Sequence, residues 1–130
     1  MGSALDDYRG VIIQESLYGT EVLREVQILE TRVSRVTERH KTPWLKQWTL
    51  HTVRIPKAKA TSVAREISRS LDESHGGSWY ADFRNDRFHF IVFRDKVFKV
   101  DTRMPAEYER VRRYGRKLGI PEYQLDFTPP

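Results

Sequence analysis

Two histidines and an aspartate are the residues best suited to acid–base chemistry. His51 and His89 each fall on a predicted β-strand, and Asp82 and Tyr80 lie on a third. Because histidine titrates near neutrality, two imidazoles facing each other across a sheet can act as acid and base or bind a metal. One interpretation is therefore a small enzyme with these residues in a shared pocket. The alternative is structural, since His51 lies on an apolar strand face where a hydrogen-bonded core histidine is expected.

A second group combines aromatic rings with positive charge. Its members lie in a Pro-containing loop and on two predicted strands: Lys41, Trp44, Lys46, Trp48, Trp79, Tyr80 and Arg84. Proteins that bind single-stranded nucleic acid stack bases on such rings and place Lys and Arg against the phosphates. The same rings also fill cores, because a sheet needs large amphipathic side chains where no helix covers it. Within the group, the loop residue Trp44 is the ring expected to be exposed.

The remaining charged residues have local explanations. Five cations lie in the last predicted helix: Arg110, Arg112, Arg113, Arg116 and Lys117. Positive charge stabilises the C-terminal end of a helix, and Glu109 is spaced to pair with Arg113. Acidic residues around the predicted hairpins can hold Mg²⁺, but they alternate with Arg and Lys as exposed strands do. We therefore expect no metal and no cofactor.

Several functional classes are excluded or disfavoured. The chain has no cysteine and none of the motifs GxxxxGK[ST], GxGxxG, HExxH or GxSxG, which leaves no familiar catalytic pattern. It also lacks the run of about 20 apolar residues that a membrane-spanning helix needs. The net charge of +5 permits a polyanionic partner without requiring one. A cytoplasmic protein without evident catalysis is the expectation.

The elements that carry the candidate residues can be predicted from apolar patterns. Strands are predicted over residues 10–17 and 47–55, which are rich in β-branched residues or alternate in polarity. Residues 20–36 fit two structures, because apolar spacings of four and three favour a helix while β-branched residues favour a strand. We predict a helical turn over 20–24 and a strand over 25–38, with a helix as the alternative.

Two helices and a series of hairpins are predicted in the second half. Pro56 begins a helix that ends near residues 74–77, where His75 faces the negative end of the dipole. Its apolar face comprises Ala60, Val63, Ala64, Ile67 and Leu71. A second helix is predicted over 105–118, with Pro at its start and Gly after its end. Its buried stripe comprises Tyr108, Val111, Gly115 and Leu118.

Three strands between these helices complete the predicted sheet. They cover residues 79–84, 87–94 and 96–101, joined by short polar turns typical of antiparallel hairpins. Residues 88–93 place apolar side chains on both faces of the predicted strand, which indicates a central strand covered on both faces or a homodimer interface. The predicted fold is α+β, with five or six mainly antiparallel strands and two helices in the order β-β-β-α-β-β-β-α.

One domain accounts for most of the chain. Residues 10–127 are predicted to form it, with an alternating C-terminal segment that packs on its surface. Residues 1–9 are expected to be a disordered N-terminus that begins with a cloning remnant, and residues 128–130 a frayed tail.

Three sequence blocks carry a resemblance to other proteins. They are KTPWLKQWTLHTV, WYADFRNDRFHFIVFRDKVFKVD and YGRKLGIPEYQLDF. The chain resembles, over most of residues 10–127, a family of small uncharacterised prokaryotic α+β proteins. The resemblance implies a free-standing domain and carries over no catalytic residue, because that family has no assigned reaction.

The sequence thus favours a non-enzymatic binding domain. Its expected partner is nucleic acid or another anionic macromolecule, held by the aromatic and basic surface around Trp44 and Trp48. The small enzyme with His51, His89 and Asp82 is one alternative. A structural homodimer formed through residues 88–93 is the other.

Overall fold

The computed structural model describes residues 6–74 and 78–127. Within these residues, six strands and two α-helices follow in the predicted order. The strands are β1 (Tyr8–Ile13), β2 (Gln27–Arg35), β3 (Gln47–Ile55), β4 (Tyr80–Arg84), β5 (Phe88–Phe93) and β6 (Lys96–Asp101). The helices are α1 (Ala60–Ser70) and α2 (Pro105–Lys117). The predicted α+β fold is confirmed.

All six strands form one antiparallel sheet in the order β2-β3-β1-β4-β5-β6. The first strand of the chain therefore lies in the middle of the sheet, between β3 and β4. Gly10 makes the pairing of β1 with β4 possible, because a Cβ atom there would lie 2.2 Å from the Asp82 carbonyl oxygen and 2.7 Å from Phe83 Cβ.

The two faces of the sheet are covered unequally. Helix α1 packs on one face over a core that includes Ile12, Val53 and Phe83. Helix α2 and the C-terminal segment pack on the other face, but only over β5, β6 and the Tyr80 end of β4, around Ile91 and other buried residues. The rest of that second face is open, and Val11, on a central strand, is 41% exposed there. We call this uncovered surface of β1, β3 and β4 the open face.

The strand interpretation of residues 20–36 is correct and the helix alternative is wrong. The chain forms a 3₁₀ turn over Glu21–Glu25 and then β2, which pairs with β3 along most of its length. The β-branched residues are thus accommodated in the conformation they prefer. Strand β1 begins earlier than predicted, at Tyr8, whose ring is buried against Phe83 and Phe90. It ends at Ile13, before a 3₁₀ turn.

Both helices lie where the sequence places them, with corrections at their ends. Helix α1 is preceded by a 3₁₀ turn over Lys57–Lys59, and all five residues of its predicted apolar face are buried. Helix α1 ends at Ser70 and not near residues 74–77 as predicted, because Leu71 is extended and forms an isolated bridge with Leu17. His75 itself lies outside the described residues. In α2, Leu118 is 37% exposed and not buried as predicted. The chain turns at Gly119, whose φ is +86°, and buries Ile120 instead.

Strand β5 is the strand covered on both faces. Phe90 and Val92 lie in the core under α1, whereas Ile91 and Phe93 lie in the core under α2. Residues 89–93 are therefore buried within the chain and Phe88 is half-buried, so coverage by the two helices explains the pattern without the homodimer interface proposed as its other explanation. No helix in the described ranges is long and apolar enough to cross a membrane.

Candidate functional site

The open face carries two adjoining cavities that share Val11 and Asp82. One, the aromatic pocket, has a volume of about 250 Å³. It is lined by Val11, Ile13, Trp48, Trp79, Tyr80, Asp82 and Gln124. The other, the arginine pocket, has a volume of about 390 Å³. It is lined by Arg9, Gly10, Val11, Thr52, Asp82 and Arg84. Together they form one groove across β3, β1 and β4.

Three arginines form a row on the open face, and two of them, Arg9 and Arg84, line the arginine pocket. Arg9 lies directly opposite Arg54 on β3 and directly opposite Arg84 on β4, so all three side chains leave the same face of the sheet. Opposed residues of antiparallel strands have Cβ atoms roughly 4.5–5.5 Å apart. No carboxylate of the described residues forms an ion pair with any of the three. Arg54 Nε is buried without a hydrogen-bond partner among the described residues.

The aromatic pocket is built on two tryptophans in contact. The rings of Trp48 and Trp79 lie 5.3 Å apart, and the His40 ring meets the Trp48 ring edge-on at 4.2 Å. Trp48 Nε1 donates a hydrogen bond of 3.0 Å to Thr42 Oγ1. Trp48 is half-buried, Trp79 is buried, and both line the cavity. Their orientation is fixed before any ligand enters.

Tyr80 closes one side of the aromatic pocket. Its hydroxyl donates a hydrogen bond to the backbone carbonyl of Gln124, which holds the C-terminal segment beside the groove. Burial raises the pKa of the Tyr80 phenol well above its ordinary value, and the negative charges of Asp82 and Asp126 raise it further. Tyr80 is thus a neutral hydrogen-bond donor and not an acid of the site.

Asp82 and His89 are in contact, as the predicted enzyme pocket of His51, His89 and Asp82 requires. His89 Nε2 lies 2.6 Å from Asp82 Oδ2, and His89 Nδ1 lies 3.0 Å from the Tyr108 hydroxyl. The imidazole is fully buried, whereas the Asp82 carboxylate is 40% exposed and borders both cavities. Burial also raises the pKa of Tyr108. His89 therefore lies beneath the groove, where it contacts Asp82, and its ring is not accessible to a ligand.

The predicted pocket that joins His51 with His89 does not form. His51 is opposite Ile12 on β1, whereas the neighbouring residue Val11 is opposite Asp82, so the two histidines leave opposite faces of the sheet. His51 is buried with hydrogen bonds of 2.8 Å to Thr31 and 2.7 Å to Gln14. The contacts of His51 are those of a structural histidine.

The other predicted binding residues divide between the groove and a loop. Trp48, Trp79 and Tyr80 meet in the aromatic pocket, and Arg84 lines the arginine pocket. Lys41, Trp44 and Lys46 lie in the loop before β3 and line neither cavity. Trp44 is 36% exposed, as expected for a loop ring. A separate cavity of about 620 Å³ adjoins this loop and is lined partly by Lys41.

Arg9 and Arg54 are the arginines of the row that the sequence analysis did not single out. The alternation of β3 places Arg54 on the same side of the strand as Trp48, which was the available signal. Nothing local in the sequence indicates that β1 pairs with both β3 and β4, and only that pairing aligns the arginines.

The described residues contain no group of three or more His, Asp or Glu side chains placed to hold a metal ion. Comparisons with protein-family models, curated proteins and solved structures find no match for this chain. The chemistry of the groove is therefore interpreted from the residues that line it.

Proposed function

We propose that this chain is a binding domain for single-stranded nucleic acid, which lies along the groove of the open face. The proposal rests on one observation: the arginine row and the aromatic pocket lie side by side on the uncovered face of the sheet. The arginines hold phosphates and the aromatic pocket receives a base. Sheet platforms that bind single strands combine the same two elements.

The arginine row favours a polyanion over a neutral ligand. Like charges at directly opposed positions destabilise a sheet, and no described carboxylate pairs with Arg9, Arg54 or Arg84. Guanidinium groups bind phosphate oxygens through paired hydrogen bonds, which relieve the repulsion between neighbouring arginines. A chain of phosphates supplies such partners at several points of the row, whereas a single carboxylate supplies one.

The aromatic pocket favours a single strand over a duplex. A base can enter a cavity of about 250 Å³ beside Trp48 only when it is unpaired and turned out of a stack. Polar groups at the rim add possible contacts to the base edge, namely the Asp82 carboxylate and Gln124. The Trp48 ring supplies an apolar surface that every base can contact.

The proposal is tested by titrating fluorescently labelled single-stranded RNA and DNA oligonucleotides at two or more salt concentrations. We expect the logarithm of the binding constant to fall linearly with the logarithm of the salt concentration, with a slope of about −0.7 for each phosphate contacted. Arg9→Gln should weaken binding and reduce that slope by about 0.7. Trp48→Leu should cost about 1–3 kcal/mol of binding free energy at unchanged slope.

The matched control is Arg65→Gln, which removes one positive charge from the exposed surface of α1. It should leave both affinity and slope close to those of the unaltered chain, because α1 covers the opposite face of the sheet. Absence of binding at low salt would overturn the proposal. If Arg9→Gln and Arg65→Gln weakened binding equally, the net charge of the protein alone would account for the interaction.

A further inference from the structure

We propose that two copies of this chain pair through the free edge of β2 and form a two-fold symmetric dimer. Strand β2 is at one end of the sheet, with β3 as its single neighbour, so its outer backbone groups have no strand partner among the described residues. It is nine residues long. A long, exposed edge is a template for another strand. This inference does not depend on the proposed binding of nucleic acid.

Strand β2 exposes aliphatic side chains at a free edge of the sheet. Eight of its nine residues are exposed and the ninth is half-buried. They include three aliphatic residues, Ile28 at 43%, Leu29 at 39% and Val33 at 57% exposure. Because exposed aliphatic residues on an edge favour association, natural sheets usually avoid them unless a partner covers them.

The opposite edge of the same sheet is protected. Strand β6 is six residues long and carries Lys96 and Lys99, and both α1 and α2 contact it. Lysines on an edge strand and covering helices are devices that prevent pairing with another chain. Strand β2 contains neither lysine nor proline. Lysines and covering helices are therefore confined to one edge, which points to the other as an interface.

The charges of β2 are complementary to a second copy of itself. A two-fold axis perpendicular to the sheet keeps corresponding faces on the same side, so opposed residues must have the same parity. With Thr31 opposite Thr31 of the second copy, Glu30 lies opposite Arg32 of the second copy, and the pair occurs twice. Centring the strands on Glu30 or on Arg32 would instead oppose like charges, which is unfavourable.

The aliphatic residues fit the same register. The ladder between β2 and β3 is irregular between Ile28 and Glu30, where Leu29 is the extra residue of a bulge. In the register centred on Thr31, the bulged pair Ile28 and Leu29 lies beside Val33 of the second copy. Apolar contacts then flank the central charge pairs on both sides. A single strand pair buries less area than a permanent interface, so a concentration-dependent equilibrium is expected.

The experiment is sedimentation equilibrium over a concentration series, with the full chain and no nucleic acid. The unaltered chain should show a monomer–dimer equilibrium. Glu30→Arg alone and Arg32→Glu alone each oppose like charges twice, and each should weaken dimerisation by about tenfold. The double variant Glu30→Arg with Arg32→Glu restores two opposite-charge pairs and should recover the affinity of the unaltered chain.

The double variant also controls for folding, because it contains both single changes. Arg65→Glu makes on α1 the same change in net charge as Arg32→Glu makes on β2, and it should leave the equilibrium unaltered. A monomer at every concentration would overturn the proposal. A dimer that both single variants leave unchanged, or that the double variant fails to recover, would place the interface elsewhere.

Discussion

Arg9 and Arg84 lie directly opposite each other on the antiparallel strands β1 and β4, on the face that α2 leaves open. Arg54 faces Arg9 from the other side, on β3. Opposed like charges reduce the stability of a sheet, and the described residues provide no ion pair to compensate them. The repulsion between these arginines therefore opposes folding of the sheet at this point. Such locally unfavourable arrangements are typical of binding sites.

This conflict predicts that Arg9→Gln stabilises the protein in the absence of ligand. Glutamine keeps most of the side-chain length and removes the charge. We expect the free energy of unfolding to rise by about 0.2–1 kcal/mol at low salt. The gain should largely disappear near 1 M salt, where the screening length is about 3 Å.

Urea denaturation at the two salt concentrations measures this effect. Arg65→Gln serves as the control, since Arg65 is exposed on α1 and lies outside the row. A decrease in stability for Arg9→Gln at low salt would show that Arg9 makes a net attractive interaction in the folded state, against our interpretation of the row.

Asp82→Ala is predicted to destabilise the domain through His89. The imidazole is fully buried, and removal of the carboxylate leaves its Nε2 atom without the 2.6 Å contact to Asp82 Oδ2. An unsatisfied buried polar group costs about 1–3 kcal/mol of stability. Asp82→Asn retains an oxygen acceptor and should cost less. Urea denaturation of both variants tests the ranking.

The control for this experiment is Asp86→Ala, which truncates an exposed carboxylate in the neighbouring turn. Its stability should remain within about 0.5 kcal/mol of the unaltered chain. If Asp82→Ala were equally harmless, the contact between Asp82 and His89 would contribute nothing to stability.

Gly10→Ala is predicted to separate β1 from β4. The added Cβ atom would lie 2.2 Å from the backbone oxygen of Asp82 and 2.7 Å from Phe83 Cβ, and neither atom belongs to a flexible side-chain end. Such overpacking typically costs about 1–3 kcal/mol. Thermal unfolding should show a clearly lower midpoint, together with faster hydrogen exchange of the amides that join the two strands.

Gly19→Ala provides the comparison for Gly10→Ala. A Cβ atom at Gly19 meets the carboxylate end of the Glu21 side chain at 2.3 Å, and that side chain can rotate away. Gly19→Ala should therefore be far better tolerated. Equal losses for both variants would indicate that the conformational preference of glycine, and not the close approach at Gly10, determines the result.

Elements with a strong local pattern were predictable from the sequence. Strand β3 has the predicted boundaries, because residues 47–55 alternate in polarity and a proline follows them. The apolar face of α1 is buried residue by residue, since its spacing matches the helical period. Strand β2 was correctly preferred to a helix on its β-branched content.

The pairing of strands could not be predicted in the same way. The position of β1 between β3 and β4 depends on contacts between segments far apart in the sequence. That pairing creates the arginine row, and it also sends His51 and His89 to opposite faces. The aromatic members of the site were found because rings interleaved with basic residues are typical of nucleic-acid-binding surfaces. The alignment of Arg9 with Arg54 depends on the strand register and could not be found in this way.

The last prediction concerns pH and the carboxylate of Asp101 at the end of β6. Arg103 donates to it from its side chain at 3.0–3.1 Å and from its backbone N–H at 2.9 Å. Chiefly through the side-chain hydrogen bonds, Arg103 lowers the pKa of Asp101 to about 2. Because the pKa of the folded state is below that of the unfolded chain, this stabilisation is present above about pH 4 and is lost as the pH falls towards 2.

Arg103→Gln removes the side-chain hydrogen bonds and the charge of residue 103 but keeps its backbone N–H donor, and it should raise the pKa of Asp101 from about 2 towards the ordinary value of 3.8. Carboxyl carbon chemical shifts measured against pH by NMR report this directly. The variant should also lose less stability than the unaltered chain between pH 4 and pH 2, because the pKa of its Asp101 differs less between the folded and unfolded states. Arg110→Gln removes a charge from the nearby helix α2 and should leave the titration of Asp101 unchanged. A pKa near 4 for Asp101 in the unaltered chain would mean that the contacts with Arg103 do not persist in solution.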